Sequence, residues 1–148
     1  MAGCCQINSE ADSPGKLCPS CHHSGKSVKV ITLKSLLKPV ALAKLHPELN
    51  YSFCSTNLCD VVYYSEVNTF RTQDLKVPVF QKDSGSEVPV CYCFGWSRAR
   101  LNTEVKTKPV DFIREQIKAN RCGCEVNNPQ GACCLGNVSL VVHQIGQK

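Results

Sequence analysis

Tyr51-Ser52-Phe53-Cys54-Ser55-Thr56-Asn57-Leu58-Cys59-Asp60-Val61-Val62-Tyr63-Tyr64-Ser65 decides how the first half of this chain is read. Aromatic and β-branched residues fill both ends of the stretch, which predicts strands over 50–53 and 60–65. Between them lies a turn bracketed by two cysteines with four residues between them. Such a pair presents two thiolates to one side, half of a tetrahedral metal site. The other half stands upstream as the knuckle Cys18-Pro19-Ser20-Cys21. A further strand is predicted over 27–33, Ser27-Val28-Lys29-Val30-Ile31-Thr32-Leu33, from its alternation and β-branching. Cys18, Cys21, Cys54 and Cys59 are thus candidate ligands of one structural Zn2+, in the layout of a zinc ribbon. His22 and His23 follow the knuckle and read as exposed turn residues, because four thiolates already complete the shell.

Working outward, the chain has 148 residues and twelve cysteines. The stretch MAGCCQINSEADSPGK has no basic segment followed by an apolar one, so it does not read as a secretory signal. No apolar run is long enough to cross a bilayer, and membrane insertion is not expected. The expected setting is cytoplasmic and reducing, where clustered cysteines read as metal ligands rather than disulfides. The formal charge of +5 counts neutral thiols. Two loaded four-thiolate sites would each carry about −2 and bring it to about +1. That weakens any case for a nucleic-acid partner, and there is no stripe of interleaved lysines and aromatics.

The chain is predicted to divide into a flexible tail over 1–16, a zinc-binding unit over 17–81, a polar linker over 82–87 and a second unit over 88–148. Cys4 and Cys5 fall in the tail and read as an idle pair. Pro39 limits any helix over 36–45 to short pieces, and Thr72 is a good cap for a helical turn. In the second unit Pro109 suits a first helical turn, Val110, Ile113 and Ile117 share one helical face, and Asn120 is the stop. Residues 127–131 read as a loop and 132–145 as a final helix. Each unit is too small to bury a large core, so metal is expected to supply much of its stability. The fold class is α+β: a small zinc-ribbon-like β unit followed by a mainly helical cluster unit.

Cys91-Tyr92-Cys93 follows an extended segment over 87–90 and places two thiols one residue apart. Cys122, Cys124, Cys133 and Cys134 come later, and two of these would complete a four-cysteine [2Fe-2S] site. Amides opening the final helix are expected to point at cluster sulfurs. Gly123 and Gly131 are expected to let backbone pass close to it, with Tyr92 and Trp96 as its shield.

The CxC opening with a distant pair resembles bacterioferritin-associated ferredoxin domains, although those close with a CxxC pair. A closer resemblance, over nearly the whole chain after the tail, is to the N-terminal domain of the copper chaperone CopZ. It rests on Cys18 to Cys21, Tyr51 to Ser55, Cys59 to Tyr63, Pro89 to Cys93, and Cys124 through Asn128-Pro129-x-Gly131-x-Cys133-Cys134. The resemblance implies zinc in the first unit and a [2Fe-2S] cluster in the second, on Cys91, Cys93, Cys124 and Cys134. Cys133 is the alternative to Cys134, and Cys122 to Cys124. The chain departs from the full-length chaperone in having no MxCxxC motif, Met1 being its one methionine.

The function expected from this reading is one-electron redox chemistry linked to copper or other metal handling, with a copper-transport or redox protein as partner. The competing expectation is a metallochaperone or metal sensor that holds a thiophilic ion such as Cu(I) on spare cysteines. An enzyme is not expected: a catalytic cysteine needs a positioned base, and His22, His23, His46 and His143 fall in no catalytic motif.

Overall fold

The computed structural model describes residues 17–146. The tail, with Cys4 and Cys5, lies outside the described residues. The fold is α+β, as expected, and its first part is a four-stranded antiparallel sheet in the order β1-β2-β3-β4. Strand β1 is Lys26–Val28, followed by helix α1, Val30–Leu36, and the short α2, Pro39–Leu42. Strands β2 (Tyr51–Phe53), β3 (Val61–Tyr64) and β4 (Thr69–Arg71) complete the sheet.

The strand predicted over 27–33 is corrected to three residues of β1 and a helix. Val28, Val30, Ile31 and Thr32 suggested a strand, but the apolar pattern continues at helical spacing. Leu33, Leu36 and Leu37 are all buried on one side. Pro39 then holds Lys38 extended, at φ −63 and ψ 155, which separates α1 from α2. Thr72 is the first residue of a 3-10 turn, Thr72–Asp74. The cap is Arg71, whose amide donates to Asp74 Oδ2 at 2.8 Å.

All four residues of β3 are buried, because the sheet is covered on both faces. Its register on β4 shifts between Val61 and Tyr63. The irregularity breaks strict alternation. Val62 and Tyr63 join the main core with Leu33, Leu37, Phe53 and Phe70, while Val61 and Tyr64 pack beside Cys18, Cys54 and Cys59.

The second part opens with the hairpin β5 (Pro89–Cys91) and β6 (Trp96–Ser97). Helices α3 (Arg98–Thr103), α4 (Pro109–Lys118), α5 (Cys124–Asn127) and α6 (Leu135–Gly146) follow. No pattern in the chain marks α3 or α5, the latter beginning just ahead of the loop expected over 127–131. Helix α4 ends at Asn120, φ 58, with the Arg121 amide on Gln116 O and the Asn120 amide on Ile117 O, each at 3.0 Å. This pair of hydrogen bonds needs a left-handed residue between them, and Asn tolerates that conformation, which is why an Asn stops this helix.

The two parts are bound to each other. Tyr63, at the centre of the sheet, donates its hydroxyl to Pro129 O. The buried Thr32 hydroxyl donates to Glu125 O at 2.6 Å, and Lys29 pairs with Glu125 at 3.2 Å. Gly131, φ 68, passes so near β1 and α1 that a Cβ there would meet Val28 Cγ2 at 2.8 Å. Its close approach is therefore to the sheet unit, not to the thiols as expected. The segment over 82–87 is also anchored, since Arg98 donates to Phe80 O, Asp83 O and Gly85 O at 2.8, 2.7 and 3.1 Å.

Candidate metal centres

The knuckle at Cys18 is shaped by its backbone. The His22 amide donates to Cys18 O and the Cys18 amide to His23 O, both at 2.9 Å, with His22 left-handed at φ 62. The amides of Ser20 and Cys21 turn inward onto the Cys18 sulfur, and that of His23 onto Cys21. The second pair hangs between β2 and β3, where the Cys54 amide bonds Val62 O at 2.8 Å and extends the ladder into the turn. His22 and His23 are exposed.

These turns gather the sulfurs of Cys18, Cys21, Cys54 and Cys59 within 4.8 Å of one another. Cys18 and Cys59 sulfurs are 3.7 Å apart, and those of Cys21 and Cys54 are 3.6 Å apart. A zinc–sulfur bond of about 2.3 Å gives a tetrahedron whose edge is about 3.8 Å. The donor set therefore fits a tetrahedral thiophilic ion. Electrostatics point the same way. Burial pushes the Cys18 thiol up to about 12, whereas the Thr56 hydroxyl, 3.3 Å from Cys21 Sγ, brings Cys21 down to about 5. A bound cation would favour the thiolate form at every sulfur, displacing protons as it enters.

The second set differs in layout. Cys93 and Cys124 sulfurs lie 3.5 Å apart. Cys134 is hydrogen-bonded to the thiols of both Cys124 and Cys91. The order is thus Cys93, Cys124, Cys134, Cys91: a string of sulfurs rather than a closed tetrahedron. Cys91, Cys124 and Cys134 are buried in one core with Val90, Trp96, Leu101, Ile113 and Val138. The hydrogen bond with Cys124 is the first cause pushing both the Cys93 and Cys134 thiols far up, while Cys134 holds Cys91 down. Sulfurs that resist ionising together are relieved by metal. The Gly123 amide donates to Cys93 Sγ at 3.1 Å, and Asn127 Nδ2 is 3.8 Å from it.

Cys122 and Cys133 stand half-buried beside this set. The Leu135 amide, first of α6, donates to Cys133 Sγ at 3.4 Å. That helix opening thus serves Cys133, while Cys134 turns into the core. Trp96 packs in the thiol core, with the Arg100 guanidinium 3.8 Å over its ring. Tyr92 does not close over the sulfurs: its hydroxyl donates to Pro78 O at 2.6 Å and accepts from the Phe80 amide. Sequence reasoning missed Thr56 and Lys82, both close to the first tetrad. A turn threonine and a linker lysine carry no motif, so no pattern in the chain could have marked them.

Three comparisons bear on this geometry. Residues 15–76 match the zf_CopZ family model, a zinc binding domain. The copper chaperone CopZ of Archaeoglobus fulgidus is 29% identical over 135 residues, which is 87% of this chain. The chain spans 63% of that relative's length. The X-ray structure of the Archaeoglobus fulgidus CopZ N-terminal domain superposes with a TM-score of 0.70 at 29% identity, covering 84% of this chain and 96% of that one. The chain is therefore CopZ-like: residues 15–76 match the zinc binding domain, and the fold follows that of the CopZ N-terminal domain over most of its length.

Proposed function

We propose that this chain is a metal-handling module of copper-chaperone type, acting on a thiophilic ion, Cu(I) foremost, around a structural zinc. Cys18, Cys21, Cys54 and Cys59 would hold the zinc, whose filled shell makes it a folding element rather than a reaction centre. The observation that carries the reading is the second set of sulfurs, buried Cys91, Cys124 and Cys134 with half-buried Cys93, in a chain that resembles a copper chaperone. Soft thiolates select Cu(I) over harder ions. Cys122 and Cys133, half-buried on the flanking loops, would admit the ion and pass it on by ligand exchange. The role is binding and transfer, not catalysis. The partner would be a cytoplasmic face of copper transport; no described helix is long and apolar enough to cross a membrane.

A second reading is favoured by one feature, the string-like order of the sulfurs. Ligands divided between two irons suit a string better than a tetrahedron does, and Cys91, Cys93, Cys124 and Cys134 would then hold a [2Fe-2S] group in a ferredoxin-like half. That group would supply one-electron chemistry. The chain's own part is to orient Cys93 through the Gly123 amide and Asn127, and to exclude water with Trp96 and Val90.

The test is titration of anaerobically prepared protein with Cu(I) against a competing chelator, with zinc and iron measured in the same sample. Tight Cu(I) binding lost in Cys91→Ser, with zinc retained, supports the chaperone reading. Two irons per chain with a one-electron EPR signal, and no tight copper site, would replace it with the redox reading.

A further inference from the structure

Lys82 falls in the stretch that reads as a linker, yet its ammonium forms part of the wall of the first tetrad. Nζ donates to Thr56 O and Cys59 O at 2.8 Å each and lies 3.7 Å from Cys54 Sγ. An ammonium has three N–H donors, and here three acceptors surround it, all on the turn that runs from Cys54 to Cys59. The lysine is presented from outside the zinc binding domain. Its amide and that of Asp83 bond Val79 O at 3.0 and 2.9 Å, and Arg98 clamps the flanking carbonyls of Phe80 and Asp83 at 2.8 and 2.7 Å.

A tetrathiolate zinc centre carries about two negative charges, which makes its sulfurs nucleophilic. A fixed ammonium donating to one sulfur lowers that nucleophilicity, because a charge-assisted hydrogen bond stabilises the thiolate before attack. We infer that Lys82 is a positioning and charge-screening residue of the zinc tetrathiolate, supplied by the second half of the chain, which shields Cys54 from soft electrophiles. The inference deepens the zinc reading given above and rests on it.

The test uses the zinc-loaded full chain exposed to iodoacetamide, with zinc release followed by a coloured chelator. In each attack a thiolate sulfur forms a bond to carbon and iodide leaves, so a ligand is lost and zinc follows. Lys82→Gln keeps a donor without the charge, Lys82→Arg keeps the charge, and Lys82→Met removes both. Release should be about tenfold faster in the Gln and Met variants, the size of a charged hydrogen bond at its weaker end, and near wild type in the Arg variant. Among the four zinc ligands, the first label in the Gln and Met variants should fall on Cys54. Equal rates in all proteins, a Gln variant that matches wild type, or a first label on Cys18, Cys21 or Cys59 in the Gln and Met variants would overturn the role of Lys82. Should Lys82→Met fail to fold, the contrast between Gln and Arg decides. Wild-type protein that binds no zinc would overturn the zinc reading and this role together, whereas zinc-replete wild type with unchanged variants removes only the role of Lys82.

Discussion

The tetrad at Cys18, Cys21, Cys54 and Cys59 and the set at Cys91, Cys93, Cys124 and Cys134 are built by different means. In the tetrad, two tight turns each fix a pair of sulfurs, and a sheet fixes the turns against each other. In the second set, one hairpin, the start of the short helix α5 and the loop before α6 bring sulfurs together from three separate places. The last two are tied to the neighbouring sheet unit through Thr32 and Tyr63. A site that carries its own geometry tolerates change elsewhere; a site assembled from borrowed supports does not. The dependence should therefore run one way, from the tetrad to the second set.

The largest effect is expected from breaking the tetrad. Cys18→Ser or Cys59→Ser should abolish zinc binding and cost several kcal/mol of stability, since metal binding here is folding free energy. With the sheet loosened, metal on the second set should fall as well. The converse variant, Cys91→Ser, should empty the second set and leave zinc at its wild-type level. Elemental analysis of the three variants checks both directions. Equal loss of both metals in Cys91→Ser would erase the asymmetry.

Next come the crowded cysteines. Cys134→Ala and Cys124→Ala remove buried sulfurs in contact with the rest of the set, and should abolish or badly weaken its metal binding. Cys133→Ala and Cys122→Ala should leave near-normal loading. Absorption spectra of the metal-loaded proteins separate the pairs, and a spectrum destroyed in Cys133→Ala but kept in Cys134→Ala would reverse the assignment.

The supports between the units give a smaller effect. Tyr63→Phe leaves the Pro129 carbonyl without its buried donor, at a cost of about 1–3 kcal/mol. Because the lost bond holds the loop between Cys124 and Cys134, metal on the second set should dissociate faster while zinc is retained. Chelator-challenge kinetics with urea unfolding measure both. The least effect is expected from Lys29→Ala, since its pair with Glu125 is exposed: at most about 1 kcal/mol, and less at high salt.

The same contrast explains what could be read from the chain. Two cysteine pairs with short spacings announce a tetrahedral site directly, because each spacing is also a turn length. The strands at Tyr51–Phe53 and Val61–Tyr64, the helix starting at Pro109 and the stop at Asn120 were legible for similar local reasons. The second set was narrowed by spacing only to two of four later cysteines, since adjacent thiols such as Cys133 and Cys134 differ in direction rather than in sequence context. The helix Val30–Leu36 reads as a strand because its β-branched start outweighs the leucines behind it, which are buried in the core of the sheet unit. Lys82 was invisible because its role depends on a fold that returns the chain to the Cys54 turn.

The most direct test is the metal content of anaerobically purified chain, measured for zinc, copper and iron together with free thiols. One zinc per chain that survives Cys91→Ser, beside a second thiophilic metal that does not, is the predicted result. Zinc-free protein with Cys18 and Cys59 joined as a disulfide would contradict it.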